Sequence, residues 1–111
     1  MAVTILNIIP RKQAEATQTA QYTSSGVKTI IDKFTVTNTS GSAATFSVNL
    51  VANGGSAGAS NLVLKTQSIA AGACYLCPEL VGQTLEAGGF ISTIAGTASA
   101  LTISASGRQV S

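Results

Sequence analysis

The stretch FTVTNTSGSAATFSVNLV, residues 34–51, decides the fold class. Phe34 and Val36 alternate with Thr35 and Thr37, and Phe46, Val48 and Leu50 alternate with Ser47 and Asn49. Successive strand residues face opposite sides, so each arm has one apolar face and one face of hydroxyls or amides. Residues 38–42 supply turn chemistry between them, and the pair reads as a half-buried antiparallel β-hairpin. Phe34, Val36, Phe46, Val48 and Leu50 are the expected core, holding two sheets together.

Upstream, AVTILNII at residues 2–9 is β-rich, and Pro10 is expected to end it by removing a ladder donor. Val3, Ile5 and Ile9 would share one face, with Leu6 and Ile8 on the other. Both faces are apolar, which fits either a strand buried on both sides or an arm packed against a neighbouring subunit. Residues 11–21 read as an extended connection into a short strand at 19–23, followed by a turn at 24–26. A strand then starts at Val27. The adjacent Ile30 and Ile31 break its alternation, and a bulge near Asp32 and Lys33 would re-phase it so that Phe34 faces inward.

Downstream, ANGGSAGASN at residues 52–61 is a flexible loop by composition. Its paired glycines lack the following helix and Lys-Ser/Thr pair of a phosphate cradle. Strands follow at 61–69, 73–77, 90–94 and 101–105. Pro78 and Glu79 suit a short helical turn near 78–84, from which Leu80, Val81 and Leu85 would plug the core. Residues 34–48 and 90–103 follow the same course, from Phe through a small-residue turn into an apolar-hydroxyl strand, as two ordinary hairpins would. The sum is an all-β, single-domain antiparallel β-sandwich, jelly-roll-like, with seven or eight strands. Residues 1–23 form its N-terminal strand and extended arm, and 24–111 the sandwich domain.

The chain has 111 residues, enough for one core. Only 9% of them are charged, against about 25% in most globular proteins. Such a neutral, hydroxyl-rich surface is expected where an assembly covers much of it, or in a monomer kept soluble by hydroxyls alone. The net charge of +2 comes from scattered residues, which do not promise the clustered basic face that nucleic acid requires. No stretch approaches a membrane span, and residues 1–10 lack the leading basic region of a secretory signal. Synthesis and release in a cytoplasm are therefore expected, without nucleic-acid or membrane binding.

Histidine is absent, so neither a Ser-His-Asp nor a Cys-His arrangement can be built. A Ser-Lys dyad with Lys33 or Lys65 has no visible partner. Cys74 and Cys77 match C-x-x-C, but a zinc site would need a second ligand pair and a redox motif a βαβ setting. In an extended segment their sulfurs point to opposite faces with Cα atoms about 10 Å apart, beyond disulfide reach. Asp32, Glu79 and Glu86 show no calcium-loop spacing. Neither catalysis nor a cofactor nor a metal is expected.

The second half of the chain resembles small virion proteins of tailed bacteriophages, β-sandwiches that decorate the head or build the collar and neck. The resemblance lies in SIAAG at 68–72, PELVGQTL at 78–85, EAGGFIS at 86–92 and ASGR at 105–108, with TVTNTSGSAATFSVNLV at 35–51 adding to it. It implies a structural protein of the virion that decorates or cements the capsid surface, bound to major capsid or other virion proteins in many copies or as a homo-oligomer. Many weak, identical contacts become strong on a lattice. The contacts it suggests are Val3, Ile5, Leu6, Ile8 and Ile9 in the N-terminal run, Asn53 and Ser56 in the loop, and Arg108 near the C-terminus. A collar, neck or tail position is the alternative within this class. A carbohydrate- or receptor-binding module is the alternative outside it, against which stand the absence of Trp and the presence of only two tyrosines, Tyr22 and Tyr75.

Overall fold

The structure is a computed structural model that describes residues 2–111. Its strands are β1 (Val3–Gln13), β2 (Thr19–Thr23), β3 (Lys28–Asn38), β4 (Ala44–Val51), β5 (Leu62–Ile69), β6 (Cys74–Tyr75), β7 (Thr84–Leu85), β8 (Phe90–Ala95) and β9 (Leu101–Val110). Sheet A has the order β1-β9-β3-β6, with β7 also paired to β3, and sheet B has the order β2-β8-β4-β5. Every pairing is antiparallel. With β6 and β7 sharing one strand's place, this is the strand order of a jelly roll. The expectation of an all-β sandwich in one domain is met.

The expected hairpin at 34–51 is not one. β3 pairs with β9, β6 and β7, whereas β4 pairs with β5 and β8 in the other sheet. The connection at 39–43 is an arch from one sheet to the other. Period-two alternation fixes which side chains face the core, and an arch satisfies it as well as a hairpin does. Asn38 pins the arch from within. Its side chain is 1% exposed, and Nδ2 donates to the carbonyls of Ile69 (2.8 Å) and Ser42 (2.9 Å). Its Oδ1 accepts from the Ser40 amide at 2.9 Å and the Ser40 hydroxyl at 2.7 Å. The similar course at 90–103 is also an arch, because β8 lies in sheet B and β9 in sheet A. The two arches lie side by side, Thr39 N donating to the Ala100 carbonyl at 2.8 Å.

Between the sheets, Phe34, Val36, Phe46 and Val48 are fully buried with Ile31, Leu80, Ile91, Leu101 and Ile103. Leu50 packs on this core but stays partly exposed, and the neighbouring Val51 is buried instead. The bulge near Asp32 is present: Ile31 pairs with Gly107 and Lys33 with Ser106, one residue of β3 being left over. Pro10 does not end β1. The strand runs on to Gln13 because Pro10 sits on a sheet edge within the second register shift, between Ile9 and Lys12, where a missing donor is tolerated. The two shifts of β1 bring the adjacent Ile8 and Ile9 both into the core. The N-terminal segment thus supplies, through β1 and β2, one edge strand to each sheet.

Residues 78–82 form turns rather than a helix, and a short helical turn, 3-10 in type, is at Ala59–Asn61 instead. Leu80 and Leu85 plug the core as expected, while Val81 is 48% exposed. The segment between β6 and β7 bulges away from β3 and returns through Gly82 N to the Ile31 carbonyl (2.7 Å) and Ile31 N to the Gln83 carbonyl (2.9 Å). Among the described residues, no buried side-chain nitrogen or oxygen lacks a hydrogen-bond partner.

Gly107 lies where β9 crosses the β3 bulge, and a Cβ there would overlap the Ile30 carbonyl oxygen. Gly107→Ala should therefore cost about 1–3 kcal/mol, as overpacking of a rigid site does. Gly41→Ala, with open space around it, should stay within about 0.5 kcal/mol of the parent. Urea unfolding midpoints of the two variants check both values.

Candidate functional site

The outer faces of the two sheets differ. In sheet A, Ile5, Arg108, Ile30 and Thr84 form one row across β1, β9, β3 and β7, and Val3, Val110 and Lys28 form the next. Ile5 is 81% and Val3 57% exposed, and among the described residues β1 has no strand beyond it. Of the other expected contacts in this run, Leu6 is partly buried against the core, and Ile8 and Ile9 are core residues. Arg108 is not in a free tail. It stands within β9, and its guanidinium clasps Asp32 through Nε to Oδ2 at 3.0 Å and Nη2 to Oδ1 at 2.9 Å.

Next to these rows, a groove of about 320 Å³ is lined by Asn7, Arg11, Lys33, Thr35, Ser104, Ala105 and Ser106. Small β9 residues make its floor, and β1 and β3 make its rims. Arg11 falls within the second register shift of β1, between Ile9 and Lys12, and Lys33 ends the register shift of β3.

The outer face of sheet B carries a second groove, of about 310 Å³, whose lining includes Gln18, Ser47, Asn49, Gly58, Leu62 and Lys65. Asn49, 3% exposed, organises it. Its Nδ2 donates to the Gly58 carbonyl (3.0 Å) and Asn61 Oδ1 (2.6 Å), while Asn61 Nδ2 donates to the Ser56 carbonyl (2.9 Å). Gln18 Nε2 donates to Ser92 Oγ at 2.7 Å, and Ser47 Oγ accepts the Thr66 amide at 2.8 Å. The second half of loop 52–61, expected to be flexible, is therefore tied down on the sheet. Asn53, at its exposed tip, covers Gly88 so closely that a Cβ there would meet Asn53 Cγ at 2.6 Å. Ser56 is exposed. Neither Asn49 nor Gln18 stands out in the sequence: a polar residue alternating in a strand, as Asn49 does in β4, signals a wet face and not a loop folded over it, and Gln18 lies in the irregular connection before β2.

The carboxylates do not converge. Glu15, Glu86 and Asp32 pair with Lys12, Lys28 and Arg108, and Glu79 accepts the Tyr75 hydroxyl, 2.7 Å from each of its oxygens. That hydrogen bond pushes the Tyr75 phenol up to about 12. Among the described residues, no group of three His, Cys, Asp or Glu side chains could hold a metal ion. Cys74 is exposed and Cys77 buried, both as free thiols. The extended segment stops at Tyr75, and Cys77 adopts φ +47°. Burial, with the Glu79 charge next, raises the Cys77 thiol from its ordinary 9.0 to about 12.

In comparisons with protein-family models, curated proteins and solved structures, nothing matches this chain.

Two outcomes follow from these environments. A thiol reagent at pH 8 should label Cys74 alone in the folded protein, and Cys77 only after denaturation, as peptide mass mapping would show. A Cys77 pKa raised on folding stabilises the fold fully below the unfolded value of 9.0, and this contribution is lost as pH rises through about 12. Tyr75 acts in the same direction. The urea midpoint should accordingly decline above about pH 9, and less steeply in Cys77→Ala. Asn49→Ala should cost about 2 kcal/mol by stripping a buried network, with hydrogen exchange at the Gly58 amide rising first.

Proposed function

We propose that this protein is a non-enzymatic structural protein of a tailed-bacteriophage virion, decorating or cementing the capsid surface through many identical protein-protein contacts. The observation that carries the reading is the open β1 edge of sheet A, with Val3 and Ile5 exposed upon it. An unpaired strand edge bearing apolar side chains is a template for association unless something covers it. Pro10 and the register shifts blunt the later half of β1, which leaves residues 3–7 as the segment a partner would meet. One such contact is weak, and repetition on a lattice makes it strong.

Jelly rolls serve in both viral capsids and lectins, so the fold by itself does not choose between them. The amides of the sheet B groove bond to one another rather than presenting themselves to a sugar, which weighs against the carbohydrate reading. A collar, neck or tail position is the alternative within the virion, and it differs in copy number.

Quantitative mass spectrometry of purified particles should find copies in the hundreds, as a surface lattice provides; about a dozen would place the protein at a ring in the neck or tail. Absence from particles would end the virion reading. Ile5→Lys, at an exposed position, should keep the fold and lower particle occupancy. Ile9→Lys, at a site 1% exposed, should unfold the chain.

A further inference from the structure

The two grooves have nearly the same volume and opposite chemistry. In the sheet B groove, Gln18, Ser47 and Asn49 are committed to partners inside the protein. In the sheet A groove, Asn7, Arg11, Lys33, Thr35, Ser104 and Ser106 make no side-chain hydrogen bond or ion pair with any other described residue. Six polar side chains thus converge on one depression with their bonding capacity directed outward.

Charge sharpens the contrast. Lys12, Lys28 and Arg108 are neutralised by Glu15, Glu86 and Asp32, and Glu79 is engaged by Tyr75. Arg11, Lys33 and Lys65 remain, and the first two line the same groove, which contains no carboxylate. The bulges in β1 and β3 lie beside these two cations. Bulges re-aim the side chains next to them, and Ser104, Ala105 and Ser106 between the rims are small enough to leave room for a ligand.

We propose that this groove binds carboxylate side chains of an acidic segment on a partner protein. Arginine's planar fork matches a carboxylate, and an ammonium with flanking hydroxyls completes its coordination. An acidic segment of a partner supplies the counter-charge that this chain does not place there: Glu15, Asp32 and Glu86 pair with other cations, and Glu79 stands alone beside Tyr75. Nucleic acid would need a longer basic track and stacking aromatics, whereas the lining has two cations and no aromatic ring. That the partner is a virion protein rests on the reading proposed above; the groove's chemistry does not.

The test is titration of the ¹⁵N-labelled full chain with hexaglutamate, with inorganic phosphate and oligothymidylate in parallel. Hexaglutamate should shift the amides of Asn7, Arg11, Lys33, Thr35, Ser104 and Ser106. The affinity should fall about tenfold in the Arg11→Gln/Lys33→Gln double variant, as for two solvent-facing charge pairs, and weaken between about 20 and 150 mM salt. Lys65→Gln, outside the groove, should bind as the parent does. Shifts confined to other residues, equal loss in Lys65→Gln, or tighter binding of phosphate or oligothymidylate would overturn the proposal. Both altered side chains are exposed, and an unchanged amide spectrum of the free variant shows that the fold is kept. A protein present in particles whose groove ignores hexaglutamate leaves the virion reading standing and this inference refuted. Binding of hexaglutamate by a protein absent from particles has the reverse meaning.

Discussion

Phe34 of sheet A and Phe46 of sheet B meet across the sandwich with ring centroids 6.2 Å apart and planes tilted by 44°. Both rings are completely removed from solvent. Burying each contributes about 3 kcal/mol, and a tilted aromatic pair adds about 1 kcal/mol beyond its area. The contact also constrains topology. Its two members are twelve residues apart in the chain, so the segment between them must leave one sheet and enter the other. The fully bonded Asn38 makes that corner possible without an orphaned polar group in the core. The other crossings between the sheets wind the chain into the jelly roll.

Residue order made the faces legible and left the partners hidden. The alternation at 34–37 and 46–48 named the buried side chains correctly, because a strand's period is a local property. The bulge at Asp32 was also legible, since Ile31 and Phe34 cannot both face inward without an extra residue between them. Pairing is nonlocal, and nothing in the connection 39–43 distinguishes an arch from a hairpin; Gly41 does not take a positive φ there. Pro10 misled because its effect depends on whether its strand is central or at an edge. Val81, expected with Leu80 and Leu85 to plug the core from a helical turn, points outward because residues 78–82 form turns and only Leu80 and Leu85 reach the core.

The candidate sites were harder to read than the fold for the same reason. Arg11 and Lys33 lie far apart in sequence and become neighbours only when β9 passes between β1 and β3. Of the six scattered cations, three pair with carboxylates, Arg11 and Lys33 share the sheet A groove, and Lys65 lies apart at the sheet B groove. The division of labour between the faces follows. Sheet B covers its polar outer face with its own loop, through Asn49 and Asn61. Sheet A leaves its face uncovered, with an apolar edge at Val3 and Ile5 and a cationic groove beside it. On the function proposed above, this uncovered face is the one a partner would meet.

The central claim is that β3 and β4 belong to different sheets, and interstrand nuclear Overhauser contacts between backbone protons test it directly. The account predicts contacts joining Val36 to Ile103 and Thr35 to Ser104, and others joining Ser47 to Ile94 and Phe46 to Ala95, following the two registers. Backbone contacts between residues 34–38 and 44–48 should be absent. A continuous ladder linking those two segments would restore the hairpin, and would contradict the jelly roll and the grooves built on it.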